Sequence, residues 1–181
     1  MLAKRDTFYQ LFFMRHLCIL YMFLSMLATN AQELTLGASA PKLLVTDQDG
    51  ESFDLGDSLS SGITVVFFYP MASTPGCTKQ ACSLSEGYLE LQSMGVEVIG
   101  VSGDSAAKQR KFQDKYSIPY TLIADTDLRV NEAFGKKRYK RQAYIFNDGK
   151  LVWRDLSAAT GKQFSDVITA LAALDLVPLS N

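Results

Sequence analysis

The sequence predicts an α/β fold in which helices cover both faces of a central, mixed but mostly parallel sheet. Two runs rich in β-branched and aromatic residues, 63–69 and 96–102, are typical of strands buried on both faces. Apolar residues at helical spacing follow each run, so strands and helices alternate as they do around parallel sheets. Two further strands, around an Asn-Asp-Gly turn at 147–149, are expected to add antiparallel edges.

The first half of the chain supplies three elements before the second long strand. A β-hairpin is predicted over 41–55, because an Asp-Gly pair at 49–50 favours a tight turn. The strand 63–69 follows. Apolar residues at helical spacing then predict one helix over 77–94, ended by Gly95.

The second half continues the alternation. After the strand 96–102, Asp104 or Ser105 is placed to cap a helix that runs to about residue 116. The remaining predicted elements are, in order, a strand at 120–125, a helix at 127–134, strands at 142–146 and 150–156, and a last helix at 162–174.

The first 31 residues have the pattern of a signal peptide. Basic residues precede an uncharged run over 17–28 and small residues follow it, so cleavage is expected after Ala31. Met14 is an alternative start, and an uncleaved N-terminal membrane anchor is the alternative to a cleaved signal. The domain would then comprise residues 32–181, exported to the periplasm if the source is a bacterium.

Composition limits what this domain can do. With 181 residues in the chain, 48% of them apolar and 20% charged, one globular domain is expected. Without 1–31 the domain is mildly acidic, which argues against nucleic-acid binding. It has no histidine and two cysteines, Cys77 and Cys82. These residues exclude a Cys-His catalytic dyad and are too few for a structural zinc site, so no cofactor is expected.

The loop before Cys77 predicts a reactive sulfur. Pro70 ends the strand, and Pro75 and Gly76 shape a tight loop, which places Cys77 in the first turn of a helix. Unpaired backbone N–H groups and the helix dipole there favour a thiolate over a thiol. Thr74 can turn its hydroxyl toward the same pocket.

The spacing of the two cysteines argues against a permanent disulfide. On one regular helix, residues five apart have Cα atoms about 8.6 Å apart. A disulfide needs less than about 7 Å, so a bridge between Cys77 and Cys82 requires the first helical turns to unwind. The alternative interpretation is that both are buried small apolar residues or halves of a structural bridge.

The motif PMASTPGCTKQAC at 70–82 resembles the active-site loop of the peroxiredoxins, with Pro, three residues, Thr, two residues and Cys. A second Cys after four further residues resembles the peroxiredoxin Q group, also called the bacterioferritin comigratory protein group. The similarity continues through GVSGDSAAKQRKFQDKYSIPYTLIADTD and covers about 35–175. It implies a thioredoxin-like fold.

The resemblance also implies roles for single residues. Cys77 matches the peroxidatic cysteine, Cys82 the resolving cysteine, and Pro70 and Thr74 the residues that shield the sulfur and bind the peroxide. Arg141 matches the arginine that stabilises the thiolate and the transition state. The implied substrates are hydrogen peroxide and organic hydroperoxides, the implied reductant is thioredoxin or a thioredoxin-like protein, and the group favours a monomer.

The chain departs from the group pattern beside Arg141. Gln142 and Ala143 stand where the group usually has Ser and Thr, which removes two hydroxyls and puts the support of the arginine in question. The basic run 136–141 is interpreted as a solvated loop face, although Arg138 is a rival for the arginine role.

Two other functions remain open from the residues alone. An exported thioredoxin-like thiol-disulfide oxidoreductase fits two cysteines, but that chemistry uses C-x-x-C rather than C-x4-C. A copper carrier on the same scaffold would usually add a histidine or methionine ligand, and the predicted domain has no histidine. The Pro-x-x-x-Thr-x-x-Cys loop favours the peroxidase.

Overall fold

The computed structural model describes residues 32–136 and 139–177, and the elements below belong to one unit that begins at Glu33. The predicted signal peptide and Arg138 lie outside the described residues. The strands are β1 (Leu44–Thr46), β2 (Ser52–Asp54), β3 (Ile63–Phe68), β4 (Val96–Ser102), β5 (Thr121–Ala124), β6 (Gln142–Asn147) and β7 (Lys150–Asp155). The helices are α1 (Leu55–Ser60), α2 (Pro75–Glu86), α3 (Tyr88–Ser93), α4 (Ala106–Tyr116), α5 (Arg129–Ala133) and α6 (Gln163–Ala173).

The predicted mixed sheet is confirmed. Five strands lie in the order β5-β4-β3-β6-β7, with β3 parallel to β4 and β4 parallel to β5. β6 is antiparallel to both of its neighbours, so within this sheet it alone runs against the others. Of the two strands predicted to add antiparallel edges, β7 does form an edge, whereas β6 lies inside the sheet because it pairs with β3 on one side and β7 on the other.

Helices cover both faces, as predicted, because the side chains of β3 alternate between two cores. Val65 and Phe67 pack with α2, α3, α4 and α6 on the first face. Val66 and Phe68 pack with the hairpin, α1 and α5 on the second face. These four side chains are at most 1% exposed, and burial of each contributes about 1.5–3 kcal/mol. The sheet is therefore the rigid base on which the loops at its ends are built.

The predicted hairpin is confirmed, but the helix after it was missed. β1 and β2 form a separate antiparallel pair, and Gly50 takes the left-handed φ of 83° that the turn needs. The Asp54 carboxylate then accepts a hydrogen bond from Asp57 N at 3.0 Å and so caps α1. Leu55 and Leu59, four residues apart and fully buried, are the helical signal in the sequence.

The prediction of one helix over 77–94 is wrong, since two helices, α2 and α3, occupy this stretch. Gly87 separates them, and a Cβ at this position would lie 2.1 Å from the ring of Phe164. Packing of the Phe164 ring therefore requires glycine at this position, and glycine is a weak helix former. α2 also begins at Pro75, because proline suits the first turn of a helix.

Among the described residues, no helix has the length and apolar character needed to cross a bilayer.

Candidate active site

The candidate site lies where β3 ends and α2 begins. Pro70 is the second residue after β3, and Thr74 occupies the N-cap position of α2. Cys77, the third residue of α2, is fully buried. The structure thus confirms that Cys77 lies in the first turn of a helix, where unpaired backbone N–H groups and the helix dipole supply positive potential.

Arg141 reaches this sulfur from a distant part of the chain. Its Nη2 donates a hydrogen bond to Cys77 Sγ at 3.4 Å. Gln142, the first residue of β6, pairs with Phe68, the last residue of β3, so the antiparallel register carries Arg141 to the carboxyl end of β3. The Arg141 carbonyl accepts a hydrogen bond from Ala158 N at 3.1 Å, which fixes the backbone behind the guanidinium. A permanent positive charge at this distance stabilises a thiolate.

Gly76 makes this contact possible, beyond the role in the tight loop that was predicted for it. A Cβ at position 76 would lie 2.6 Å from Arg141 Nη2. That separation is shorter than real Cβ contacts, so any side chain here would displace the guanidinium. The absence of a side chain at Gly76 therefore opens the path along which Arg141 reaches Cys77.

Thr74 is near the sulfur in sequence, but its hydroxyl is directed elsewhere. Thr74 Oγ1 donates to the Met71 carbonyl at 3.1 Å and makes no side-chain cap for α2. The Thr74 carbonyl accepts the backbone N–H of Thr78 at 2.9 Å. The hydroxyl therefore braces the loop 70–74.

Asp104 also holds this loop, a role that its sequence neighbours do not predict. Its carboxylate accepts hydrogen bonds from Ala72 N at 2.6 Å and from Ser102 Oγ at 2.8 Å, and it pairs with Lys108 Nζ at 2.5 Å. The next loop residue, Ser73, has a left-handed φ of 64°, which is strained for a residue with a side chain. The carboxylate thus anchors the loop beside its strained residue.

The N-terminus of α4 is not capped by a side chain as predicted. Ser105 occupies the N-cap position but makes no side-chain cap hydrogen bond, and the Asp104 carboxylate faces the loop 70–74 instead. The prediction that the Asp104 side chain caps α4 is therefore wrong. A polar turn that directly follows the buried strand β4 could have indicated this contact. Parallel strands place their carboxyl ends at one edge of the sheet, so the turns after β3 and β4 lie close together.

Cys82 lies five residues after Cys77 on the same unbroken helix, and both are free thiols. Their Cα atoms are therefore about 8.6 Å apart, beyond disulfide reach. Cys82 is half-buried, and burial, with a smaller contribution from the Glu86 carboxylate, raises the pKa of its thiol. While α2 is intact, Cys82 is held both distant from Cys77 and protonated.

The departures at Gln142 and Ala143 have different consequences because adjacent strand residues face opposite sides of the sheet. Ala143 shares the core that contains Cys77. Gln142 instead accepts a hydrogen bond from Tyr144 OH at 2.8 Å on the other face. The question about the support of Arg141 therefore concerns Ala143, which lies on the face of Cys77, rather than Gln142. Arg141 Nε is buried without a hydrogen-bond partner in the ranges the structure describes, as expected if a nearby hydroxyl is missing.

Comparison with known proteins places the chain in a group. The model of the AhpC/TSA family matches residues 36–154. Peroxiredoxin Q, chloroplastic, of Oryza sativa subsp. japonica is 41% identical over 103 residues, which are 57% of this chain and 47% of that protein. Peroxiredoxin Bcp of Escherichia coli (strain K12) is 44% identical over 102 residues, 56% of this chain and 65% of that protein. The matched region thus spans about half to two thirds of these relatives.

A solved structure extends the similarity to the fold. Peroxidoxin BcpB from Mycobacterium tuberculosis superposes with a TM-score of 0.72 at 29% identity, over 78% of this chain and 99% of that one. The expected thioredoxin-like fold is thereby confirmed.

Proposed function

The chain belongs to the AhpC/TSA family of peroxiredoxins, and from this premise we propose that it is a thiol-dependent peroxidase that reduces hydrogen peroxide and organic hydroperoxides. The observation that carries the proposal is the contact of 3.4 Å between Arg141 Nη2 and Cys77 Sγ at the start of α2. A buried cysteine facing a guanidinium at a helix N-terminus has the surroundings of a nucleophile.

In the first step, the Cys77 thiolate attacks one oxygen of the hydroperoxide. An S–O bond forms and the O–O bond breaks, so that sulfur is oxidised to a sulfenic acid while the leaving oxygen takes a proton and departs as water or an alcohol. Arg141 stabilises the thiolate and then the negative charge that develops on the oxygens. Pro70 shields the sulfur from water, and the Thr74 hydroxyl turns from the Met71 carbonyl to the bound peroxide.

In the second step, Cys82 resolves the sulfenic acid. The Cys82 sulfur attacks the Cys77 sulfur, an S–S bond forms, the S–O bond breaks, and the hydroxyl leaves as water with the Cys82 proton. The helix must unwind between the two cysteines, because i and i+5 positions on an intact helix are too far apart. We expect residues 77–84 to lose helix on oxidation, seen as weaker far-UV circular dichroism and faster amide exchange. An oxidised protein with the spectrum of the reduced one would contradict this step.

The disulfide is then reduced by thioredoxin or a thioredoxin-like protein. Residues 1–31 act as a signal peptide cleaved after Ala31, so this reductant is an extracytoplasmic one, and the exported domain works as a monomer. Support comes from the residues that follow the cleavage site: Leu34 N donates to the Phe134 carbonyl at 3.3 Å, and Gly37 N to the Leu151 carbonyl at 2.7 Å. A chain that begins near residue 32 would therefore start on the folded domain.

The test is hydrogen peroxide consumption with dithiothreitol as reductant, comparing wild type, Cys77→Ser and Cys82→Ser. We expect Cys77→Ser to be inactive, and Cys82→Ser to react once and accumulate sulfenic acid. If wild type consumes peroxide no faster than dithiothreitol alone, the peroxidase proposal fails. Oxidation or reduction of protein disulfides by such a protein would favour the thiol-disulfide oxidoreductase.

A further inference from the structure

Tyr120 holds the turn of α2 that lies between the two cysteines. It immediately precedes β5, and its hydroxyl donates to the Ala81 carbonyl at 2.8 Å. Burial raises the pKa of Tyr120 far above the neutral range, so the hydroxyl remains a donor at any physiological pH. The ring is fixed by an edge contact with Phe67, with centroids 5.7 Å apart. The bond thus ties a helix that must unwind to the side chain of a residue on the rigid sheet.

A second contact ties the same turn to α6. Gln80 Nε2 donates to Gln163 Oε1 at 2.9 Å, and both side chains are fully buried. One residue further along α6, the backbone N–H of Phe164 donates to Ser83 Oγ at 3.2 Å. Residues 80–83 of α2 are therefore held from two sides.

The amide pair is incompletely satisfied. Gln80 Oε1 and Gln163 Nε2 are buried and have no hydrogen-bond partner in the part of the chain that the structure describes. A buried amide atom without a hydrogen-bond partner destabilises the folded helix. When the helix opens, the atom can hydrogen-bond to water and this penalty is lost. The pair holds α2 in register with α6 and at the same time limits the stability of the closed state.

We propose that Tyr120 and the Gln80–Gln163 pair are positioning residues for disulfide formation, which hold α2 closed and whose release sets the rate at which Cys77 and Cys82 join. The proposal rests on the proposed peroxidase function. Within the described residues, none of the three side chains hydrogen-bonds Cys77 Sγ, in contrast to Arg141, so each acts on the site through the helix. They are therefore expected to control the second step and leave the attack on peroxide unchanged.

The first test replaces Tyr120 by phenylalanine. The Ala81 carbonyl keeps the hydrogen bond from Ser85 Oγ at 3.1 Å, so the change removes one bond without leaving that oxygen unpartnered. One hydrogen bond corresponds to about a 2- to 10-fold change in an opening equilibrium. After a single pulse of hydrogen peroxide, the Cys77–Cys82 disulfide should form faster by this factor, while sulfenic acid appears at the wild-type rate.

Tyr116→Phe is the matched control, because the Tyr116 hydroxyl has no hydrogen bond among the described residues and its ring packs on Phe112. This variant should form the disulfide at the wild-type rate. Equal rates in Tyr120→Phe and wild type, or equal acceleration of both steps, would overturn the proposal.

The second test separates the amide pair from simple packing. Gln163→Met leaves Gln80 with no partner for either amide atom and should speed disulfide formation. The double variant Gln80→Met/Gln163→Met removes both amides and their orphan atoms, so its rate should return to or below that of wild type. Additive acceleration in the double variant would refute the role of the pair.

Amide exchange on the reduced full chain tests the closed state without peroxide. Tyr120→Phe should raise the amide exchange rates of residues 78–84 by the same factor, about 2- to 10-fold, while the rates of the amides in β3 and β4 change less. Uniform acceleration across the sheet would mean a general structural role and would overturn the proposal. Because this readout involves no peroxidase activity, failure of the proposed function and failure of the positioning role remain distinguishable.

Discussion

Replacing Gly76 by alanine is expected to slow the reaction of Cys77 with hydrogen peroxide without destabilising the helix that carries both residues. The new Cβ would lie 2.6 Å from Arg141 Nη2, whereas ordinary contacts begin at 3.4 Å. The tip of a long side chain can move at little cost, so the guanidinium is expected to retreat by about 1 Å, to ordinary contact distance. The fold remains intact, but the distance from Nη2 to Cys77 Sγ grows.

The size of the effect follows from that distance. The separation of 3.4 Å between Arg141 Nη2 and Cys77 Sγ would become about 4.4 Å. With an effective dielectric constant of about 20, Coulomb's law lowers the attraction by about 1 kcal/mol. A loss of this size in stabilisation of the thiolate and the transition state corresponds to an about fivefold smaller second-order rate constant. Alanine is also the better helix former, by about 0.5–1 kcal/mol, so thermal stability should be unchanged or higher.

The assay is single-turnover loss of the Cys77 thiol, followed by quenching, alkylation and mass spectrometry over a range of peroxide concentrations. Gly161→Ala is the control, because a Cβ there would meet no atom of the described residues within 4 Å. Introduced into Arg141→Ala, the change at Gly76 should slow the reaction no further, since the charge it displaces is already gone. A wild-type rate in Gly76→Ala, or additive slowing in the double variant, would refute the reasoning.

Three further predictions test other parts of the site. Arg141→Ala should slow peroxide attack by about 100-fold or more and leave disulfide formation nearly unchanged, as measured by separate single-turnover rates; equal slowing of both would count against its role. Asp104→Ala should lower the free energy of unfolding in urea by about 1–3 kcal/mol and slow peroxide attack, because it leaves a backbone N–H of the loop 70–74 without an acceptor; Asp104→Asn, which retains an acceptor oxygen, should lose less. Alkylation of Cys82 in the reduced protein should reach half its maximal rate at a higher pH than for an ordinary cysteine, because its raised pKa keeps the thiol protonated, and Glu86→Gln should lower that midpoint. An unchanged midpoint in Glu86→Gln would exclude the carboxylate as a cause.

Short-range sequence patterns were sufficient to predict much of the fold. The apolar runs of β3 and β4 and the Asp-Gly turn of the hairpin act over a few neighbouring residues, so they could be read from the chain itself. The position of Cys77 in the first turn of α2 and its spacing from Cys82 are equally local. These features predict the nucleophile and the unwinding of the helix that a bridge between the two cysteines requires.

Short-range sequence patterns gave wrong predictions where a helix boundary or a hydrogen-bond partner depends on a residue distant in sequence. The glycine between α2 and α3 is required by the Phe164 ring packed against it, 77 positions along the chain. The Asp104 side chain could cap a helix or accept the Ala72 N–H, and only the adjacency of β3 and β4 selects the second. Helical spacing and capping preferences carry no information about such contacts.

The residue types available at the site follow from the order of amino acids alone: a cysteine at the start of a helix, a second cysteine out of its reach, and an arginine before a late strand. The meeting of Arg141 with Cys77, by contrast, depends on long-range packing, because their contact of 3.4 Å requires β6 to pair antiparallel with β3 in one register. A shift of one residue would direct alternate side chains to the opposite face. That register depends on burying β3 and β6 between two cores, a property of the whole fold rather than of any one segment.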